Sequence, residues 1–184
     1  MLKQLRLLCL AAALPFAASL ASASIERLTL RQMVEKADKG IYGEIVGKRV
    51  DAISDGIEEH YYTTLTISGT DLYEGTARTV SVAFRGGFVT EDRGVWNSEA
   101  PSEDDVAIGN RIVAFYKWSD DMGGGFAGNA LYAAHGGLFR TFETRKGARI
   151  VQGRGTGYAV PANRTLQSLE ADAREHRRDI ERGR

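Results

Sequence analysis

Cysteine is nearly absent from this chain. The one example, Cys9, lies in the opening segment MLKQLRLLCLAAALPFAASLASA. A protein without a second cysteine can build no intramolecular disulfide, so its fold must rest on an apolar core. Histidine is also scarce, and His60, His135 and His176 stand far apart. No His-Glu-x-x-His, Cys-x-x-Cys or Gly-x-Ser-x-Gly occurs, which removes the common metalloprotease, thiol-redox and serine-hydrolase signatures. Charge of either sign is not in excess: 24 basic residues face 24 acidic ones. A balanced chain has no electrostatic reason to seek nucleic acid or an anionic membrane.

What is present begins with an address. Lys3 and Arg6 precede an almost unbroken apolar run from Leu7 to Leu20, and Ala21-Ser22-Ala23 supplies small residues after it. This order predicts a signal peptide over residues 1–23, cleaved after Ala23. The run is shorter than the roughly 20 residues a membrane-spanning helix needs. The apolar run leading into Cys9 is only Leu7-Leu8, so lipidation is not expected. Processing removes both bases and the cysteine, leaving 22 basic against 24 acidic residues from Ser24 onward. The expected product is exported, periplasmic or extracellular, and keeps no integral membrane span. An exported chain lacking disulfides fits a bacterial route.

The pattern after Ser24 is mostly that of strands. Leu30, Met33, Val34 and Ala37 fall on one helical face behind Thr29, a suitable cap. Ile41 to Ile53 reads as a strand in which Gly43 and Gly47 mark a bend or a close backbone approach. Tyr61 to Ser68 alternates with period two, as do Val80, Val82 and Phe84. Val89 to Asp105 is acidic and irregular, a long loop. Ile108 to Trp118 is the fourth strand, with Ile112, Ala114, Tyr116 and Trp118 on one face and Val113, Phe115 and Lys117 on the other. Ser119 to Gly128 is a glycine-rich hairpin loop. Ala130 to Phe142 holds a fifth strand interrupted at Gly136-Gly137, and Arg149 to Gln152 can add another. After Pro161 a charged helix follows, docking by its first turns and fraying toward Arg184. Together these predict a mainly β fold: a small closed antiparallel five-stranded barrel over residues 24–160, with a short N-terminal helix and a charged C-terminal helical tail over 161–184.

The candidate chemistry is thin. His60 reads as a solvated edge residue, His135 as loop packing and His176 as surface. Asp120-Asp121 before Gly123-Gly124-Gly125 lacks the regular oxygen spacing of a calcium loop. Gly153-Arg154-Gly155-Thr156-Gly157 precedes no helix, so it reads as a turn rather than a phosphate cradle. No cofactor and no metal are expected.

The order of ADKGIYGEIVGKRV, a strand ending in LYEG, RTVSVAF and VAIGNRIVAFYKW resembles the oligonucleotide/oligosaccharide-binding barrel in its netrin-module version. That is the fold of the tissue inhibitors of metalloproteinases, and similar chains occur among uncharacterised exported bacterial proteins. Ala37-Asp38 matches the Ala-Asp that opens the first strand there, and Gly109-Asn110-Arg111 matches the turn that opens the fourth. The resemblance covers roughly residues 30 to 142. It implies the barrel, but not the inhibition, because the zinc-chelating N-terminal cysteine of those inhibitors has no counterpart after Ser24.

The expected function is therefore an exported, non-enzymatic binding module for a protein or cell-envelope component, with no nucleic-acid partner. Its contacts are expected where loops gather at one end of the barrel. Met122 and Phe126 offer apolar side chains on the glycine-rich loop. Trp96 is either an interface anchor or a cap folded back on the barrel. The rival expectation is a hydrolase using acids of the Val89 to Asp105 loop: Glu91, Asp92, Glu99, Glu103, Asp104 and Asp105.

Overall fold

A computed structural model describes residues 27–183 of the chain. The expected signal peptide and Cys9 lie outside the described residues. Thr29 caps α1 (Leu30–Lys36): its hydroxyl accepts from Gln32 N–H, and the Gln32 side chain accepts from Thr29 N–H. This reciprocal pair satisfies two amides that a helix start would otherwise leave open. The chain then enters β1 (Lys39–Ser54), which pairs antiparallel with β2 (Glu59–Asp71), and β2 with β3 (Ala77–Arg85). After a small hairpin, β4 (Gly87–Thr90) and β5 (Arg93–Val95), the chain returns in β6 (Arg111–Ser119). β6 pairs with the first part of β1 and with β7 (Gly128–Leu131).

Contact between β3 and β7, through Ala83 and Ala130, closes the ring β1-β2-β3-β7-β6-β1. The expected five-stranded closed barrel is thus present, and its order is OB-like. It is not wholly antiparallel: the β3–β7 seam is parallel. A closed ring with an odd number of strands cannot alternate direction all the way round, so at least one neighbouring pair must run the same way.

β1 and β2 approach closely at Gly43 and its partner Gly69. A Cβ on Gly43 would stand 2.5 Å from the Ser68 carbonyl oxygen, which backbone cannot yield. The register slips between Ile45 and Gly47, so Gly43 and Gly47 mark an approach and a bulge respectively. Both devices let one long strand serve two partners.

The alternation in β6 divides the molecule into two cores. Ile112, Ala114 and Tyr116 join Ile41, Ile45, Leu65, Ile67, Val82 and Leu138 inside the barrel. Val113 and Phe115 face outward, into a second core with Met33, Val34, Leu72, Phe139, Leu169 and Ala173. The helices cover that outer face. α2 (Leu166–Arg182) begins at a Thr165 cap and lays Leu169 and Ala173 against it, both fully buried. It stays helical to Arg182 and Ile180 still packs on the core, so it docks along most of its length rather than by its first turns alone. Arg177 donates to the carbonyls of Ala37 and Asp38, tying the helix to the start of β1.

One further expectation is met and one is corrected. The strand over Ala130 to Phe142 is interrupted as expected: a 3-10 turn at Ala134–Gly137 separates β7 from the strand that follows, and both run along the edge of β6 opposite β1. There β8 (Leu138–Glu143) pairs with β6, followed by β9 (Arg149–Val151) and β10 (Arg164–Thr165). The Val89 to Asp105 stretch is not all loop, since it contributes the end of β4 and all of β5.

Candidate functional site

Gly87 turns the chain off β3 with φ +126° and sits where a Cβ would collide with the Thr63 hydroxyl, so only glycine brings the hairpin this near the barrel. The Thr63 hydroxyl donates to the Gly86 carbonyl, 2.7 Å away, and Asn97 Nδ2 donates to the Arg85 carbonyl. Arg93 forms an ion pair with Glu59 at the start of β2, pinning the far strand of the hairpin. That pair, followed by the Tyr61 hydroxyl, holds the Glu59 carboxyl down at about 2. The hairpin is therefore fastened at three places, yet it turns much of its apolar surface outward.

Between this hairpin and residues 97–103 lies a groove of about 540 Å³ at the end of the barrel. Phe84, Phe88, Val95, Trp96, Ala100 and Pro101 give it an apolar lining. Phe84 and Ala100 also touch the interior core, so the floor is continuous with the inside of the barrel. The opposite wall is held from behind. His135 Nδ1 lies 3.0 Å from the Glu99 carbonyl, which can only accept, so this nitrogen carries the proton. Its Nε2, 3.2 Å away, then accepts from the Tyr158 hydroxyl. His135 is thus the packing residue expected, with the definite task of locking residue 99.

Trp96 is 78% exposed. It does not fold back as a cap; Pro101 and Val106 are the buried residues of that segment. Phe88 and Val95 remain about half exposed beside it, at 49% and 47%. These large apolar side chains are gathered in one concave site rather than scattered singly over the surface.

Met122 and Phe126 belong to a different place. The Phe126 ring stacks on Tyr62, centroids 4.7 Å apart, and the Tyr62 hydroxyl donates to the carbonyls of Met122 and Gly123. Asp121 accepts from the amides of Gly123 and Gly125, while Asp120 accepts from Trp118 Nε1. Both carboxylates thus organise the loop itself. Tyr62 and Thr63 are consecutive in β2 and point to opposite faces. The glycine-rich loop hence lies on the outer face of β2, and the Trp96 groove meets the other. Both reach the same end of the barrel without forming one site.

His60 departs from expectation, being buried at 8% exposure rather than solvated. Arg85, which can only donate, approaches Nδ1 at 3.1 Å, so the proton sits on Nε2 and is donated to Asp55 Oδ2 at 3.2 Å. Asp55 is held near 2 by the amides of Glu58 and Ile57 and then by His60. Asp55, Glu58 and His60 bring three ligand-type atoms within 4.8 Å of one another. A metal at Nε2 would need the lone pair that this tautomer lacks, and Arg85 would have to leave Nδ1. The arrangement is a latch closing the β1–β2 turn.

The acids of the rival reading are dispersed. Glu103 pairs with Lys48, and Asp105 with Arg154 at 3.0 Å. Asp92 accepts from the Thr90 hydroxyl. Glu91, Glu99 and Asp104 have no ion-pair partner among the described residues. Among the described residues no helix is long and apolar enough to cross a membrane. Comparison of the chain with known protein families, with curated proteins and with solved structures finds no match in any of the three.

Proposed function

We propose that this protein is an exported, non-enzymatic binding module that recognises a protein partner of the cell envelope or medium through the groove at Trp96. The observation that carries this reading is a 78% exposed tryptophan over an apolar groove of about 540 Å³, on a hairpin anchored at both ends. Tryptophan is a common interface anchor because it offers a large contact area with few rotatable bonds. The OB-like ring supports the same reading, since such barrels use a rigid scaffold to present loops. The places of Ala37-Asp38 and Gly109-Asn110-Arg111, just before β1 and at the start of β6, support kinship with the netrin module. Modulation of a secreted protease is a function of that kind, reached here without the chelating cysteine.

The test is capture of partners from the envelope fraction by wild type, Trp96→Ala and Phe126→Ala, each shown to be folded. Trp96→Ala is expected to lose the partner and Phe126→Ala to keep it. Retention of every partner by folded Trp96→Ala would overturn the site. Turnover of a glycan or ester that requires Glu99 or Asp104 would overturn the non-enzymatic reading.

A further inference from the structure

We infer that the occupant of the Trp96 groove is a polypeptide segment that alternates apolar with basic side chains; this rests on the binding-module reading and adds the chemistry of the partner. The lining asks for apolar groups: Phe84, Phe88, Val95, Trp96 and Pro101 are not balanced by any basic side chain in the groove wall. The surroundings ask for positive charge. Glu103 stands on the rim with its side chain 79% exposed, although it touches Lys48. Glu91 lies in the hairpin turn, Glu99 between lining residues Ser98 and Ala100, and Asp104 next to Glu103. These last three carboxylates meet no counter-charge within ion-pair distance among the described residues.

Three bases of this region are committed to carboxylates, Arg93 to Glu59, Lys48 to Glu103 and Arg154 to Asp105, while Arg85, next to lining residue Gly86, turns its guanidinium to His60. An approaching segment thus finds an apolar floor inside a net negative field. Complementary charge steers encounter and excludes like-charged competitors. An anionic partner, including an anionic membrane surface, would be repelled by the same carboxylates.

The backbone admits an extended chain. β4 and β5 form a two-stranded sheet of their own, so among the described residues each has an edge without a strand partner. A segment laid along such an edge presents alternate side chains to the groove and to the acidic rim. Alternation of apolar and basic residues is the pattern that satisfies both.

The experiment uses the processed protein carrying Trp118→Phe, which leaves Trp96 as the sole tryptophan for selective excitation. One probe is a short synthetic peptide alternating lysine with leucine. The other is its glutamate counterpart. The lysine peptide should shift Trp96 emission to the blue and bind at least about tenfold more tightly at low salt. Neutralising the rim with Glu91→Gln, Glu99→Gln and Asp104→Asn should abolish that preference, with folding checked by circular dichroism. Equal affinity for both peptides would overturn the charge inference and leave the binding module intact. A shift with phosphatidylglycerol vesicles but not with the lysine peptide would overturn it in favour of a membrane surface. If neither peptide binds while envelope capture still requires Trp96, the segment inference alone fails; if capture ignores Trp96, the underlying reading fails.

Discussion

Two loops carry aromatic side chains to the same end of this barrel, and they use them in opposite ways. The glycine-rich loop after β6 folds Phe126 onto Tyr62 and ties its own carboxylates to its own amides. The hairpin after β3 fastens its backbone through Asn97 and Arg93 and leaves Trp96 and Phe88 facing outward. An aromatic residue in a mobile-looking, glycine-rich stretch is here structural. One in an acidic stretch without obvious pattern is available for contact. The difference lies in what the neighbouring strand offers: Tyr62 supplies a ring for Phe126, whereas the groove beneath Trp96 is unfilled.

The comparison can be sharpened by removing aromatics in order of burial. Phe115 is fully buried between β6 and the helices, edge-on to Phe139. Phe115→Ala should cost about 3–5 kcal/mol in chemical denaturation. A loss below about 0.5 kcal/mol would make the outer face of β6 a surface. Phe126→Ala removes a half-buried stacked ring and should cost about 1–2 kcal/mol, with partner capture retained. If Phe126→Ala were neutral for stability but abolished capture, the roles assigned to the two loops would be exchanged.

Acid offers a third way to separate them. Glu59 and Asp55 titrate near 2 in the folded protein, below their ordinary values of 4.5 and 3.8. Their contribution is therefore complete above the unfolded values and is lost as pH falls from about 4.5 toward 2. The Arg93–Glu59 tether of the hairpin should loosen in that window. Carboxyl chemical shifts should report midpoints near 2, and Arg93→Ala should return Glu59 toward its ordinary value. A Glu59 midpoint near 4.5 in the wild type would remove the tether. The smallest stability effect belongs to Trp96→Ala, within about 0.5 kcal/mol, because so little of the ring is buried.

Much of the framework was legible in the sequence. Period-two alternation in Ile112 to Phe115 separated the two cores correctly, because both faces of β6 are apolar and each has its own cover. Thr29 at the helix start and Gly43 in β1 were readable because the chemistry is local. The misses have two causes, sequence distance and the shortness of an element. His60 is buried by Arg85, 25 residues away, and no pattern near His60 signals it. The break at Gly136-Gly137 is legible, whereas the register of β7 and β8 along one edge of β6 is a tertiary fact. β5 is only three residues long and contains Gly94, too short to show alternation. Trp96 stands out by its residue type, but the groove below it is assembled from β2, β3 and the segment 97–103.

The central claim is that Trp96 is the free contact residue and becomes covered by the partner. It is tested most directly by acrylamide quenching of Trp96 in the Trp118→Phe protein, alone and in complex with the partner captured from the envelope. The account predicts ready quenching in the free protein and strong protection in the complex. Protection in the free protein, or unchanged quenching in the complex, would contradict it.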